Sequence, residues 1–184
     1  MNTPRDVAVI VGSLRKDSLN RKLAKCAVAL APPALALEIV EIGQLPLYNQ
    51  DDDTNYPSVS LAFKARVSRA DAVLFVTPEY NRSMPGVFKN ALDVGSRPNG
   101  QNAWDGKPGA IASVSPGAAG AFGATHHLRQ TLVGLNVAAM PQPEMYLGRA
   151  SDLFGPDGAI ANDRTRDYVA KFLVAFSAWI DRFA

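Results

Sequence analysis

Two polar loops each follow an apolar run, and their residue types suit two different jobs. After Val7-Ala-Val-Ile-Val11 comes Gly12-Ser-Leu-Arg-Lys-Asp-Ser-Leu-Asn20, which brings Ser13, Arg15, Ser18 and Asn20 to a helix start. Free amides and the macrodipole at such a start attract an anion, and hydroxyl, amide and guanidinium groups add hydrogen bonds to it. The same residues also suit a plain N-cap. After Ala72-Val-Leu-Phe-Val-Thr77 comes Pro78-Glu-Tyr-Asn-Arg-Ser-Met-Pro-Gly86. Its two prolines stiffen a backbone whose amides can bond the edge of a flat heterocycle, and Tyr80 offers an apolar ring. Glu79 reads either with that surface or as a helix-end charge, and Arg82 either as a solvated side chain or as a cation at the pocket mouth. A third loop, Ser115 to Gly120, holds two glycines that allow close backbone approach, and its amides suit a developing negative charge. A phosphate cradle beside a ring surface points to a nucleotide-like cofactor, a flavin foremost. The spacing is neither the dinucleotide Gly-x-Gly-x-x-Gly nor the Walker loop.

The elements that position these loops alternate. Continuous apolar strands are expected over Asp6–Val11, Leu35–Ile42, Asp71–Thr77, Gly109–Ser115 and Asn136–Met140. Helices are expected over Ser18–Ala31, stopped by Pro32-Pro33, then Ser58–Ala70, Gly86–Gly95, Ala121–Leu135 and Tyr168–Phe183. Five strands alternating with five helices predict an α/β fold, a doubly wound five-stranded parallel sheet with helices on both faces. In such a sheet ligands sit outside the carboxyl ends of strands, where the three loops lie. Residues 1–184 read as a single domain, without internal repeat or linker.

Composition narrows the function classes. Hydrophobic residues make up 47% and charged residues 20%, which suits a globular protein. The 19 basic and 17 acidic residues are mixed, leaving a net charge of +2. With no basic block, nucleic acid is not an expected partner. No apolar run reaches the roughly 18 residues of a membrane span, so no membrane partner is expected. The single cysteine, Cys26, excludes an intramolecular disulfide and suits a cytoplasmic setting.

Segments 12–23 and 78–93 resemble the NAD(P)H-dependent FMN reductase family, flavodoxin-like quinone, chromate, ferric and azo-dye reductases. The resemblance extends through Leu45-Pro-Leu-Tyr-Asn49, Ser96-Arg-Pro98, the 115–120 loop and His127-Leu-Arg-Gln130, nearly the whole chain. It implies an FMN phosphate on Ser13, Arg15, Ser18 and Asn20. It implies an isoalloxazine against Pro78, Glu79, Tyr80 and Asn81, with Ser83 nearby, and against Ser115 and Gly117. The implied reaction is ping-pong hydride transfer from NAD(P)H to FMN, then to a quinone, chromate, ferric chelate, or azo or nitro compound. No catalytic side chain is required, because FMN carries the chemistry. A homodimer or homotetramer with flavin near the interface is implied as well. Two departures stand out: Gly120-Ala121 where relatives often have Gly-Gly, expected to tighten the ring pocket, and Arg82 where a smaller or uncharged residue is common.

The alternative reading is a flavodoxin-like electron carrier serving a protein partner. Such carriers tend to be strongly acidic, whereas this chain is nearly balanced. A flavin-free regulator or FMN-binding scaffold is a third. No metal site is expected: His126 and His127 are helix neighbours pointing about 100° apart, with no cysteine or carboxylate to complete a set. Cys26 falls on an apolar helix face and reads as core. Asp51-Asp-Asp53 reads as solvated, Glu144 as a possible interface residue, and Trp179 with the phenylalanines of the last helix as core or packing surface.

Overall fold

The computed structural model describes residues 3–184. Strands β1 (Arg5–Val11), β2 (Leu35–Val40), β3 (Ala72–Thr77) and β4 (Pro108–Val114) pair in parallel in the order β2-β1-β3-β4. The far edge carries β5 (Ala138–Ala139) and β6 (Met145–Leu147), both parallel to β4. The order 2-1-3-4-5 is that of flavodoxin-like doubly wound sheets, with the switch point between β1 and β3.

Strand alternation divides the apolar runs between two cores. Val7, Val9 and Val11 of β1 and Leu74 and Val76 of β3 face one side with α1 (Leu19–Ala29) and α5 (Asp163–Ile180). Ile10, Val73 and Phe75 face the other with α2 (Ser58–Arg69), α3 (Gly86–Ser96) and α4 (Phe122–Gly134). A period of two within an all-apolar strand is what burial on both faces demands. Cys26 lies in the first core, as expected, and burial raises its thiol pKa. Phe172 and Phe176 are buried there too, and Trp179 is half-buried with Nε1–H donating to Ala138 O at 2.8 Å.

Three differences from the sequence reading have physical causes. The expected fifth strand, Asn136–Met140, shrinks to two residues. Asn136, at φ 57°, and Val137 are tied to the end of α4 by bonds to Val133 O and Leu132 O. Pro141 and Pro143, which lack the ladder amide, bar any extension past Met140. The chain re-enters the sheet as β6, which pairs Ala112–Val114 while β5 pairs Pro108–Gly109. The last helix begins at Asp163 rather than Tyr168: its first turn is polar, and Asn162 caps it by accepting from Thr165 N at 2.8 Å. Asp53 is only partly solvated. One of its oxygens is buried without a partner, and the other accepts from Tyr48 OH at 3.4 Å, whereas Asp51 and Asp52 are exposed.

Around Trp104 the second core is tight. Trp104 is fully buried beside Phe63 and Phe75, and its Nε1–H donates to Leu92 O at 2.9 Å. A Cβ on Gly95 of α3 would lie 2.5 Å from that ring. Alanine normally adds about 1 kcal/mol to a helix over glycine. Here overpacking against a ring that cannot withdraw costs about 1–3 kcal/mol or more and wins. Gly95→Ala is therefore expected to lower stability by about 1–2 kcal/mol in urea unfolding; unchanged or increased stability would contradict this packing.

Candidate active site

Because β1, β3 and β4 are adjacent and parallel, the loops that leave their carboxyl ends are neighbours. In the first loop Ser13 and Ser18 are buried, Asn20 is buried and Arg15 is exposed. Ser18 is the N-cap of α1, its Oγ accepting from Arg21 N at 3.1 Å. That bond uses a lone pair and leaves the hydroxyl hydrogen free, so capping and anion binding coexist. Among the described residues, no backbone amide from Ser13 to Asn20 makes a close hydrogen bond to a protein acceptor. Successive unpaired amides at a helix start form an anion cradle. Asn20 Nδ2 donates to Val114 O at 3.0 Å, and its buried Oδ1 has no protein partner. Arg21 is spent elsewhere, pairing both terminal nitrogens with Glu41.

The second loop is a miniature hairpin. Tyr80 and Ser83 exchange backbone bonds of 2.9 and 3.0 Å across Asn81 and Arg82, whose φ angles are 50° and 66°. Two left-handed central residues make a turn of the type I′ kind, and arginine lacks glycine's ease in that region. The strain is held by anchors on both sides. Glu79 Oε2 accepts from Ala124 N at 3.1 Å at the start of α4, and its other oxygen lies 3.7 Å from Arg82. Glu79 is thus the helix-end charge, and what it offers a ring is backbone. Arg82 projects with its side chain 86% exposed. Ser83 Oγ and His127 Nδ1 share a hydrogen bond of 2.7 Å. Pro78 accepts from Thr77 Oγ1 at 2.8 Å, which further fixes the strand exit.

A cleft of about 310 Å³ joins the first two loops, lined by Gly12, Leu14, Arg15, Tyr80, Pro85 and Gly86 with Val87. Gly12 is required by the fold, since a Cβ there would meet the Phe88 ring at 2.9 Å. Gly86 is not: nothing lies within 4 Å of its would-be Cβ.

The third loop is clamped by β6, the element that sequence periodicity missed. Ser115 N donates to Leu147 O at 3.0 Å, Arg149 N to Gly117 O at 3.0 Å, and Ser113 Oγ to Gly120 O at 2.6 Å. Gly120 sits at φ 57°, where a Cβ would meet Tyr146 backbone at 2.8 Å. Gly117 meets only the Ser115 hydroxyl, at 3.7 Å, so its open side is left for something else. Ala121 follows at φ 66°, a second non-glycine residue under strain beside the site.

His126 and His127 diverge. His126 packs on Phe122 and Tyr146, while His127 turns to Ser83. Tyr146 donates to Glu144 at 2.8 Å; burial and that carboxylate push its pKa up to about 12. Sequence reading missed the Ser83–His127 pair, for which the only signal was a histidine on the helix after the third loop. All the expected site residues lie at the carboxyl end of the sheet, in the loops after β1, β3 and β4, with Asn20 and Glu79 partly committed to the fold.

Comparison with known proteins agrees with this geometry. The model of the NADPH-dependent FMN reductase family matches residues 5–152. A quinone reductase of Pseudomonas putida is 55% identical over 181 residues, 98% of this chain and 97% of its own. A 2-hydroxy-1,4-benzoquinone reductase of a Burkholderia species is 49% identical over 174 residues, 95% of each. Among solved structures, the FerB flavoenzyme NAD(P)H:(acceptor) oxidoreductase of Paracoccus denitrificans superposes with a TM-score of 0.92 at 43% identity, covering 97% of this chain and 98% of its own. The chain belongs to the NADPH-dependent FMN reductase family, oxidoreductases that work with FMN and a reduced nicotinamide.

Proposed function

We propose that this enzyme passes electrons from NAD(P)H to small-molecule acceptors, quinones first, at the cleft between the first and second loops. Chromate, ferric chelates, and azo and nitro compounds fall in the same acceptor class, because an open ring face selects by redox chemistry more than by shape. The observation that carries the reading is the meeting of an unpaired amide cradle with a stiff, ring-flanked hairpin at the sheet's switch point.

The residues present fit FMN. Ser13, Arg15, Ser18 and Asn20, with the free amides between them, would hold its phosphate. Backbone of Pro78, Glu79 and Asn81, the ring of Tyr80, and the Ser115–Gly117 turn would hold its ring system, with Ser83 at the edge. Gly86 and Gly117 support this, since neither is a glycine that the protein's own packing demands. Bound FMN supplies two-electron transfer between nicotinamide and acceptor. The chain orients both reactants and holds the anion without a covalent nucleophile. We place this activity in the cytoplasm and in a homodimer or homotetramer. Leu14, Tyr80 and Val87, exposed at the cleft, and the exposed Phe122 at the start of α4 offer apolar surface that a second copy would cover.

Anaerobic NADPH should bleach the FMN-loaded protein rapidly, and a quinone should restore the colour, with parallel double-reciprocal plots in steady state. Failure to take up FMN or to bleach would overturn the reading. The phosphate assignment has its own test. Arg15 is exposed and without a salt-bridge partner among the described residues, so Arg15→Ala should leave apoprotein stability unchanged. It should weaken FMN binding about tenfold or more by flavin-fluorescence titration, the scale of a lost charged hydrogen bond. Ser18→Ala should weaken FMN binding too, and also cost about 1 kcal/mol of stability through the lost cap.

A further inference from the structure

We propose that His127, acting through Ser83, supplies the proton that completes quinone reduction at this site. The inference rests on the FMN reading above and concerns its second half-reaction. A quinone becomes a hydroquinone by gaining two electrons and two protons. A hydride equivalent from the reduced cofactor brings both electrons and one proton. The second proton must come to the quinone oxygen that turns anionic as the hydride equivalent arrives.

The Ser83–His127 pair is placed and built for that transfer. Ser83 lies directly opposite Tyr80 in the hairpin ladder, and directly opposite residues project from the same face. The Ser83 hydroxyl therefore shares the face that carries the Tyr80 ring, and Tyr80 lines the cleft. The 2.7 Å bond to His127 Nδ1 has a polarity set by the imidazole charge. When His127 is neutral with Nδ1 bare, Ser83 donates to it and has no proton to offer outward. When His127 is charged, Nδ1–H donates to Ser83 Oγ and frees the Ser83 O–H for an acceptor oxygen. The Ser83 proton then passes to the quinone oxygen and the Nδ1 proton replaces it on Ser83. Once the hydroquinone leaves, water returns a proton to Nδ1 along the same path through Ser83, because Nε2 already carries one.

Other groups nearby are otherwise engaged. Glu79 is tied to Ala124 N and Arg82, and Arg82 faces that carboxylate and solvent. Tyr146 donates to Glu144. On α4 itself, His126 packs on Phe122 and Tyr146, and Arg129 donates to Met140 O and lies 4.0 Å from Glu144. The charged and titratable groups around His127 are thus Glu79 and Arg82 of the hairpin and His126 of its own helix.

The test separates the two half-reactions. Wild-type FMN-loaded protein is bleached anaerobically by NADPH, then reoxidised in a stopped-flow by a quinone or by ferricyanide, which takes electrons without protons. Quinone reoxidation should slow as pH rises through the His127 titration followed by NMR of the same protein; ferricyanide reoxidation should not. His127→Asn keeps a hydrogen-bonding atom near the Nδ1 position. It should bleach at a rate within about twofold of wild type, yet reoxidise with quinone about a hundredfold more slowly, the scale of general-acid catalysis, and without the pH limb. Its ferricyanide rate should be unchanged. Ser83→Ala should change the Nδ1 resonance of His127 in NMR before any substrate is added, leave the His126 resonances in place, and lose the same pH limb in quinone reoxidation. If His127→Asn keeps the quinone rate and pH limb, if ferricyanide slows equally, or if Ser83→Ala leaves the His127 Nδ1 resonance or the pH limb unchanged, the relay is wrong. A wild type that fails to bleach overturns the FMN reading and the relay together.

Discussion

Everything at the candidate site depends on β3 being buried on both faces. Each residue from Ala72 to Thr77 is buried, and β3 pairs in parallel with β1 on one side and β4 on the other. Parallel neighbours require crossovers, and covering both faces sends those crossovers to opposite sides. The chain leaving β1 and the chain leaving β3 then part, and the gap between them is the cleft. Burial of apolar strand residues is worth about 1.5–3 kcal/mol for each large side chain, far more than any loop contact. The loops inherit their positions from that burial and need no strong bonds of their own.

How much of this was legible follows the same division. The apolar runs Val7–Val11 and Ala72–Thr77 announced buried parallel strands, and the turn chemistry at Gly12 and Pro78 announced where they stop. Ser18 was visible as a cap, and the structure shows it capping with its hydroxyl hydrogen to spare. β6 was not visible, because three residues after two prolines carry no period to detect. The polar first turn of α5 hid in the same way, since amphipathic pattern begins only where a helix meets the core. Asp53 escaped because its burial depends on Tyr48, five residues away across a turn. The Ser83–His127 bond spans 44 residues, and no local spacing encodes it.

Backbone strain gathers where the loops meet. Asn81, Arg82, Ala121 and Arg149 all adopt left-handed conformations in or beside the second and third loops. Each costs on the order of 1 kcal/mol or more for a non-glycine residue. They persist because their surroundings leave no alternative: Glu79 pins the hairpin to α4, and the bond from Arg149 N to Gly117 O pins the segment after β6 to the third loop. Rigid placement of backbone donors is the return, since a preorganised amide loses nothing by reorienting when charge develops.

The broken far edge of the sheet has a consequence beyond the site. An open sheet ends in unpaired amides and carbonyls that invite a strand from another molecule. Here the outermost position past β4 is shared by a two-residue and a three-residue piece with Pro141 and Pro143 between them. At this edge no continuous ladder is presented to a stranger. The interruption that makes the fifth strand hard to foresee also guards this edge against edge-to-edge pairing, and it frees β6 to reach the end of the sheet where the candidate site lies.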